Sequence, residues 1–121
     1  DYYFGNLLWH DGQLAGVIDW EDAGIGDPLF DLAKARLELL WVFIQAFTNY
    51  YLAQMPHIDA ELLLYWDLDR ARRTLARPPH FIDSWAKSYD PGLHVTTESM
   101  RSACGWMITE ALWWLKVSKT Y

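Results

Sequence analysis

Apolar and polar positions change rhythm several times along the chain. Two short apolar runs, Leu7-Leu8-Trp9-His10 and Leu14-Ala15-Gly16-Val17-Ile18, flank Asp11-Gly12-Gln13. Asp-Gly is a strong hairpin signal, because glycine accepts the positive φ that the tight turn requires. The pattern predicts an antiparallel β-hairpin that brings Asn6 and Asp19 together at its open end. Residues 20–27 read as a loop, and Asp27 followed by Pro28 reads as an N-cap with proline at the first helical position. From Leu29 to about Met55, just before Pro56, the rhythm is helical, and between Leu37 and Phe47 it is apolar on nearly every face. That pattern predicts one long, central, buried helix.

A second helix is expected from Asp59 to about Ala76, stopped by Pro78-Pro79. It carries Arg70, Arg72 and Arg73, with Arg77 just beyond, a basic cluster that could meet a phosphate. The interleaved Asp67 and Asp69 favour a solvated face with local ion pairs. A short helical turn from Phe81 to Ser88 and a turn at Asp90-Pro91-Gly92 follow. The last helix starts at Thr96-Thr97-Glu98, with Met100, Ala103, Cys104, Met107, Ala111 and Trp114 at helical spacing. Trp106, Trp113 and Trp114 could stack on a ligand, but on this helix core packing is the expectation. The fold class is therefore mostly α with one N-terminal β-hairpin, and no internal repeat is present.

Composition narrows the classes. A chain of 121 residues is one domain at most, and at 52% hydrophobic with eight Trp it is too apolar for a disordered segment. Its net charge of −6 argues against non-specific binding to nucleic acid or an anionic membrane. The longest apolar run, Leu39 to Ile44, is far below the ~20 residues of a membrane span. A single cysteine, Cys104, forms no internal disulfide, and a reducing cytoplasm is the default expectation. Cys104 falls on an apolar helix face, where a buried structural thiol is expected. His10, His57, His80 and His94 show no metal-ligand spacing with one another or with Cys104.

The candidate chemistry lies at the N-terminus. Phosphoryl transfer needs a carboxylate to orient or deprotonate the attacking hydroxyl, and ligands that hold Mg²⁺ on the nucleotide phosphates. Protein kinases supply these as an Asp, an Asn five residues later, and an Asp after the next hairpin. Asp1, Asn6 and Asp19 reproduce that layout. Oxygen ligands suit Mg²⁺, which keeps several waters and takes few protein groups.

DYYFGNLLW followed by GVIDWEDAGIGDPLFDLA resembles the catalytic segment of the aminoglycoside phosphotransferase family, which has a protein-kinase-like α+β fold. The resemblance implies a C-terminal-lobe fragment, with residues 1–27 as catalytic loop, hairpin and metal-binding loop and residues 28–121 as a helical subdomain. It implies Asp1 as catalytic base, Asn6 and Asp19 as Mg²⁺ and nucleotide ligands, and Asp31, with Asp27, as structural support. Asp31 would be buried and hydrogen-bonded to the catalytic loop. The implied reaction moves the γ-phosphoryl group of ATP or GTP to a hydroxyl of a small molecule, either a polycationic antibiotic or a small hydroxylated metabolite. Glu21, Asp22, Glu98 and Glu110 are candidate carboxylates for a cationic acceptor, against the plainer reading of surface charge.

The His-Gly pair that precedes the family's aspartate, and the nucleotide lobe, are not in this sequence. The fragment alone is therefore expected to be inactive and to self-associate through its N-terminal region. A non-catalytic helical interaction module, or a degenerate kinase-like relative, is the alternative.

Overall fold

The computed structural model describes residues 4–39 and 44–117. After a 3-10 turn at Phe4–Asn6, strands β1 (Leu7–His10) and β2 (Gln13–Val17) pair antiparallel. Asp11 and Gly12 make the turn at φ 49° and 74°. Two successive positive φ values give the type I′ turn, whose twist matches that of the strands. Gln13 accordingly pairs with His10 instead of belonging to the loop. Leu7 faces Val17 and Leu8 faces Gly16, but Trp9 faces Leu14, so Ala15 is an extra residue that bulges the second strand.

Five helices follow among the described residues: α1 (Pro28–Glu38), α2 (Ile44–Gln54), α3 (Glu61–Leu75), α4 (Pro79–Lys87) and α5 (Thr97–Val117). The single helix expected from Leu29 to Met55 is thus two. At the end of α1 the Glu38 carbonyl accepts the Tyr89 hydroxyl at 3.0 Å, so a tertiary partner serves one of the last carbonyls of the helix. Beyond the break, Arg36 donates through Nη1 to Thr48 Oγ1 and ties α2 to α1. The evenly apolar stretch therefore supplies two helices rather than one straight buried rod, and α2 fully buries only Ile44 and Thr48.

Starts and stops of the other helices follow local chemistry. Asp59 accepts the Glu61 N–H at 2.9 Å ahead of α3. Pro79 does more than stop α3, because it opens α4 at a position where a missing N–H costs nothing. Thr96 and Ser99 cap α5 reciprocally, each side-chain oxygen taking the other's backbone N–H at 3.1 and 2.9 Å.

The core is a set of helix seams with α3 at the centre, packed most extensively on α5 and α1. Leu37, Ala71, Ala103, Cys104 and Met107 fill the seam between α1, α3 and α5, while Leu29, Leu32, Ala33 and Leu63 join α1 to α3. Ile82, Ala86 and Met100 join α4 to α5. Cys104 is the buried structural thiol expected, its pKa pushed up to about 11 by burial.

Trp106, Trp113 and Trp114 depart from expectation and are all exposed. The face of α5 that carries Met100, Ala103, Cys104, Met107 and Ala111 is already the buried one, and 3.6 residues per turn rotate Trp106 and Trp113 away from it. Trp114 keeps that register but lies beyond Ala111, the last buried residue of the helix.

Asp67 also departs from the solvated face predicted for α3. It is buried against Arg36, which donates through Nε at 3.1 Å to both carboxylate oxygens and through Nη2 at 2.9 Å. Burial pushes the Asp67 carboxyl up to about 6 against the pull of Arg36. Asp69 does form the expected local pairs, with Arg72 at 3.5 Å and Arg73 at 2.6 Å.

Candidate active site

Closure of the hairpin builds the site. Beyond the strands, the Ile18 N–H donates to the Asn6 carbonyl at 2.9 Å, and the Asn6 amide Nδ2 donates to Asp19 Oδ2 at 3.3 Å. The two residues expected to meet do so. Asp19 has φ 66°, in the left-handed region that non-glycine residues seldom occupy. Hairpin closure fixes the chain before it, and a 2.7 Å bond from Trp20 Nε1 to the Val17 carbonyl fixes the chain after it. Such local strain re-aims a side chain when the surroundings over-determine the backbone.

Negative charge collects at this corner. The Glu21 carboxyl is raised above its ordinary value, first by the charge of Asp19, then by a hydrogen bond with it, with smaller contributions from burial and Asp22. A cleft of about 540 Å³ opens beside Asp19, with Asp22, Asp27 and Asp31 also on its wall and Trp20, Phe30 and Trp66 as its aromatic surfaces. Of the acceptor-site candidates, Asp22 lines this cleft, whereas Glu98 and Glu110 do not.

Asp27 anchors the far end of the loop. It is the N-cap expected, with Oδ1 accepting the Leu29 N–H at 2.9 Å. Its other oxygen, Oδ2, accepts Trp66 Nε1 at 2.9 Å, and Trp66 meets Phe30 edge to face at 5.5 Å. The loop thus hangs from the hairpin at one end and from α3 at the other. Sequence reading missed Trp66, because nothing local marks an indole N–H whose acceptor lies 39 positions earlier.

Asp31 was expected to be buried, but it lies exposed in the first turn of α1. Helical spacing sends Leu29, Leu32 and Ala33 into the core and leaves position 31 on the cleft side. Asp1 lies outside the described residues, so its expected role has no geometry to report. Among the described residues no group of three or more His, Cys, Asp or Glu side chains could hold a metal. The oxygens at the hairpin mouth, an amide and a carboxylate under concentrated negative charge, do fit the small set of protein ligands that Mg²⁺ takes.

A helical body with a catalytic-type hairpin at one end is the class of molecule that the motifs imply. The model of the phosphotransferase enzyme family matches residues 1–72, from the first residue through the hairpin, the loop, α1, α2 and most of α3. The chain belongs to this family. No curated protein and no solved structure matches it.

Proposed function

We propose that this chain carries the phosphoryl-transfer centre of a small-molecule kinase, which moves the γ-phosphoryl group of ATP or GTP to a hydroxyl. The observation that carries this reading is the Asn6–Asp19 contact at the mouth of the hairpin. Asn6 and Asp19 would hold Mg²⁺, which when bound neutralises phosphate charge on the nucleotide. Asp1 would accept the proton of the attacking hydroxyl as its oxygen bonds to the γ-phosphorus and the bond to the β-phosphate oxygen breaks. Asp27 and Trp66 keep the loop after Asp19 in place, so that its carboxylate has a fixed direction. Asp31 would support the catalytic loop from the cleft wall. Four carboxylates on the cleft favour a hydroxylated acceptor that also bears positive charge. Nucleotide use and a lone buried thiol fit a cytoplasmic setting.

Paramagnetic Mn²⁺ tests the metal assignment without need of turnover. Amide signals near Asn6 and Asp19 should broaden first, and Asp19→Ala should remove that broadening while the circular dichroism spectrum is unchanged. In a nucleotide-to-hydroxyl transfer assay of a longer enzyme that joins this segment to a nucleotide lobe, Asp1→Ala should lower kcat by at least about a hundredfold, the scale of a lost general base. Near wild-type turnover in both variants would show the site assignment to be wrong.

A further inference from the structure

We infer that the groove between α1, α3 and α4 is a second binding site, built to take a phosphate or phosphomonoester group. The groove encloses about 600 Å³ and is lined by Lys34 of α1, by Arg70 and Arg73 along one side of α3, by Arg77 just past its end, and by Phe30 and Phe81. The chain has ten Lys and Arg in all and a net charge of −6. Gathering four of the ten at one concavity gives a local field opposite in sign to that of the molecule.

The cations are held in place. The Arg70 guanidinium lies 4.3 Å over the Phe30 ring, and the Arg77 guanidinium lies 4.5 Å over the Phe81 ring. Stacking of this kind fixes the plane of each group but uses none of its N–H donors. Among the described residues, Arg70 Nε and Nη2 are buried without a hydrogen-bond partner. Donors left in this state are costly, and a bound ion is one of the few physical reasons for keeping them.

Nearby carboxylates offset only part of the charge. Asp69 pairs with Arg72, outside the groove, and with the Nε of Arg73, so it compensates at most one of the four groove cations. Glu38, the carboxylate on the groove wall, accepts hydrogen bonds from Tyr89 at 2.7 Å and Trp85 at 3.1 Å. Burial lowers the pKa of Arg70, outweighing the charges of Asp31 and Asp69 that favour its charged form, and Arg73 and Arg77 lower it further. A dianion between these arginines would relieve both the repulsion and the lost donors. Phosphate suits the planar guanidinium fork, which can donate two parallel N–H bonds to it. The basic cluster thereby divides: Arg72 is on the solvated side, and Arg70, Arg73 and Arg77 face the groove.

Calorimetric titration of the full chain with inorganic phosphate tests this, at fixed low ionic strength, in EDTA so that no metal site contributes, and with chloride as the matched control. Phosphate should bind saturably where chloride gives no heat. Arg73→Gln and Arg77→Gln, both at exposed positions, should each weaken binding by roughly tenfold, the scale of a lost charge-assisted hydrogen bond, with unchanged circular dichroism. Lys87→Gln, an equal change in net charge outside the groove, should leave the affinity as it was. Phosphate heats equal to those of chloride would overturn the site, as would a Lys87→Gln loss as large as that of Arg77→Gln.

Discussion

Glu38 shows how much one residue's setting can differ from its type. It is 3% exposed at the end of α1, bonded to Tyr89 and Trp85, and burial outweighs those bonds and the charges of Lys34 and Arg70 to raise its pKa. A raised carboxyl holds its proton in the folded state after the unfolded chain has released it. Stability is therefore undiminished below the ordinary carboxylate range and is lost as pH rises towards the folded-state pKa. Glu38→Gln keeps an acceptor for both donors and removes the titration. Urea midpoints of the two proteins should agree near pH 4 and separate as pH rises, with the variant the more stable at neutrality. Parallel curves at every pH would mean that Glu38 titrates alike in both states. Neither this residue nor Asp67 could be recognised as buried from the sequence. Tyr89 lies 51 positions from Glu38 and Arg36 lies 31 from Asp67, so only tertiary packing reveals the partners.

At the scale of elements, legibility depended on whether the governing interaction is local. Asp11-Gly12 announced the hairpin turn, Asp27-Pro28 the start of α1 and Thr96 the start of α5, because each works through groups a few positions apart. The end of α1 was illegible, since helical periodicity continues past it and its terminal carbonyl is served by Tyr89. Asp27 combines the two cases, with a local cap on one oxygen and the distant Trp66 on the other. Asp27→Ala removes both bonds and should cost about 1–2 kcal/mol in urea unfolding, the upper part of the range for a lost N-cap. Asp27→Asn, whose Oδ1 can still cap while its Nδ2 cannot accept the indole N–H, should fall between the two. Equal stability of Asp27→Asn and Asp27→Ala would show that the cap contributes nothing.

The whole molecule is uneven in how it buries its apolar surface. Helices α1, α3, α4 and α5 share the core seams, while the hairpin contributes only Leu7 to the buried set. Trp9 at 63% and Leu14 at 52% exposure face each other across the strands, and Leu8, Val17, Ile18 and Trp20 are exposed as well. The motif that made the candidate site legible is thus carried on an element with little packing of its own, in which the Asn6–Asp19 contact depends on hairpin closure. A two-stranded hairpin is marginal by itself, and among the described residues both strands of this sheet are edges, with backbone groups that no third strand pairs. Exposed apolar patches beyond a few hundred Å² are unusual on a monomer, and each Å² removed from water contributes about 25 cal/mol. The 121-residue chain should therefore self-associate, most simply as a two-fold dimer that pairs hairpin edges. Sedimentation velocity across a dilution series should show a concentration-dependent dimer, and Trp9→Lys, which places charge on the edge, should shift it towards monomer. A single monomeric boundary at the highest concentration would show that the hairpin tolerates solvent on both faces.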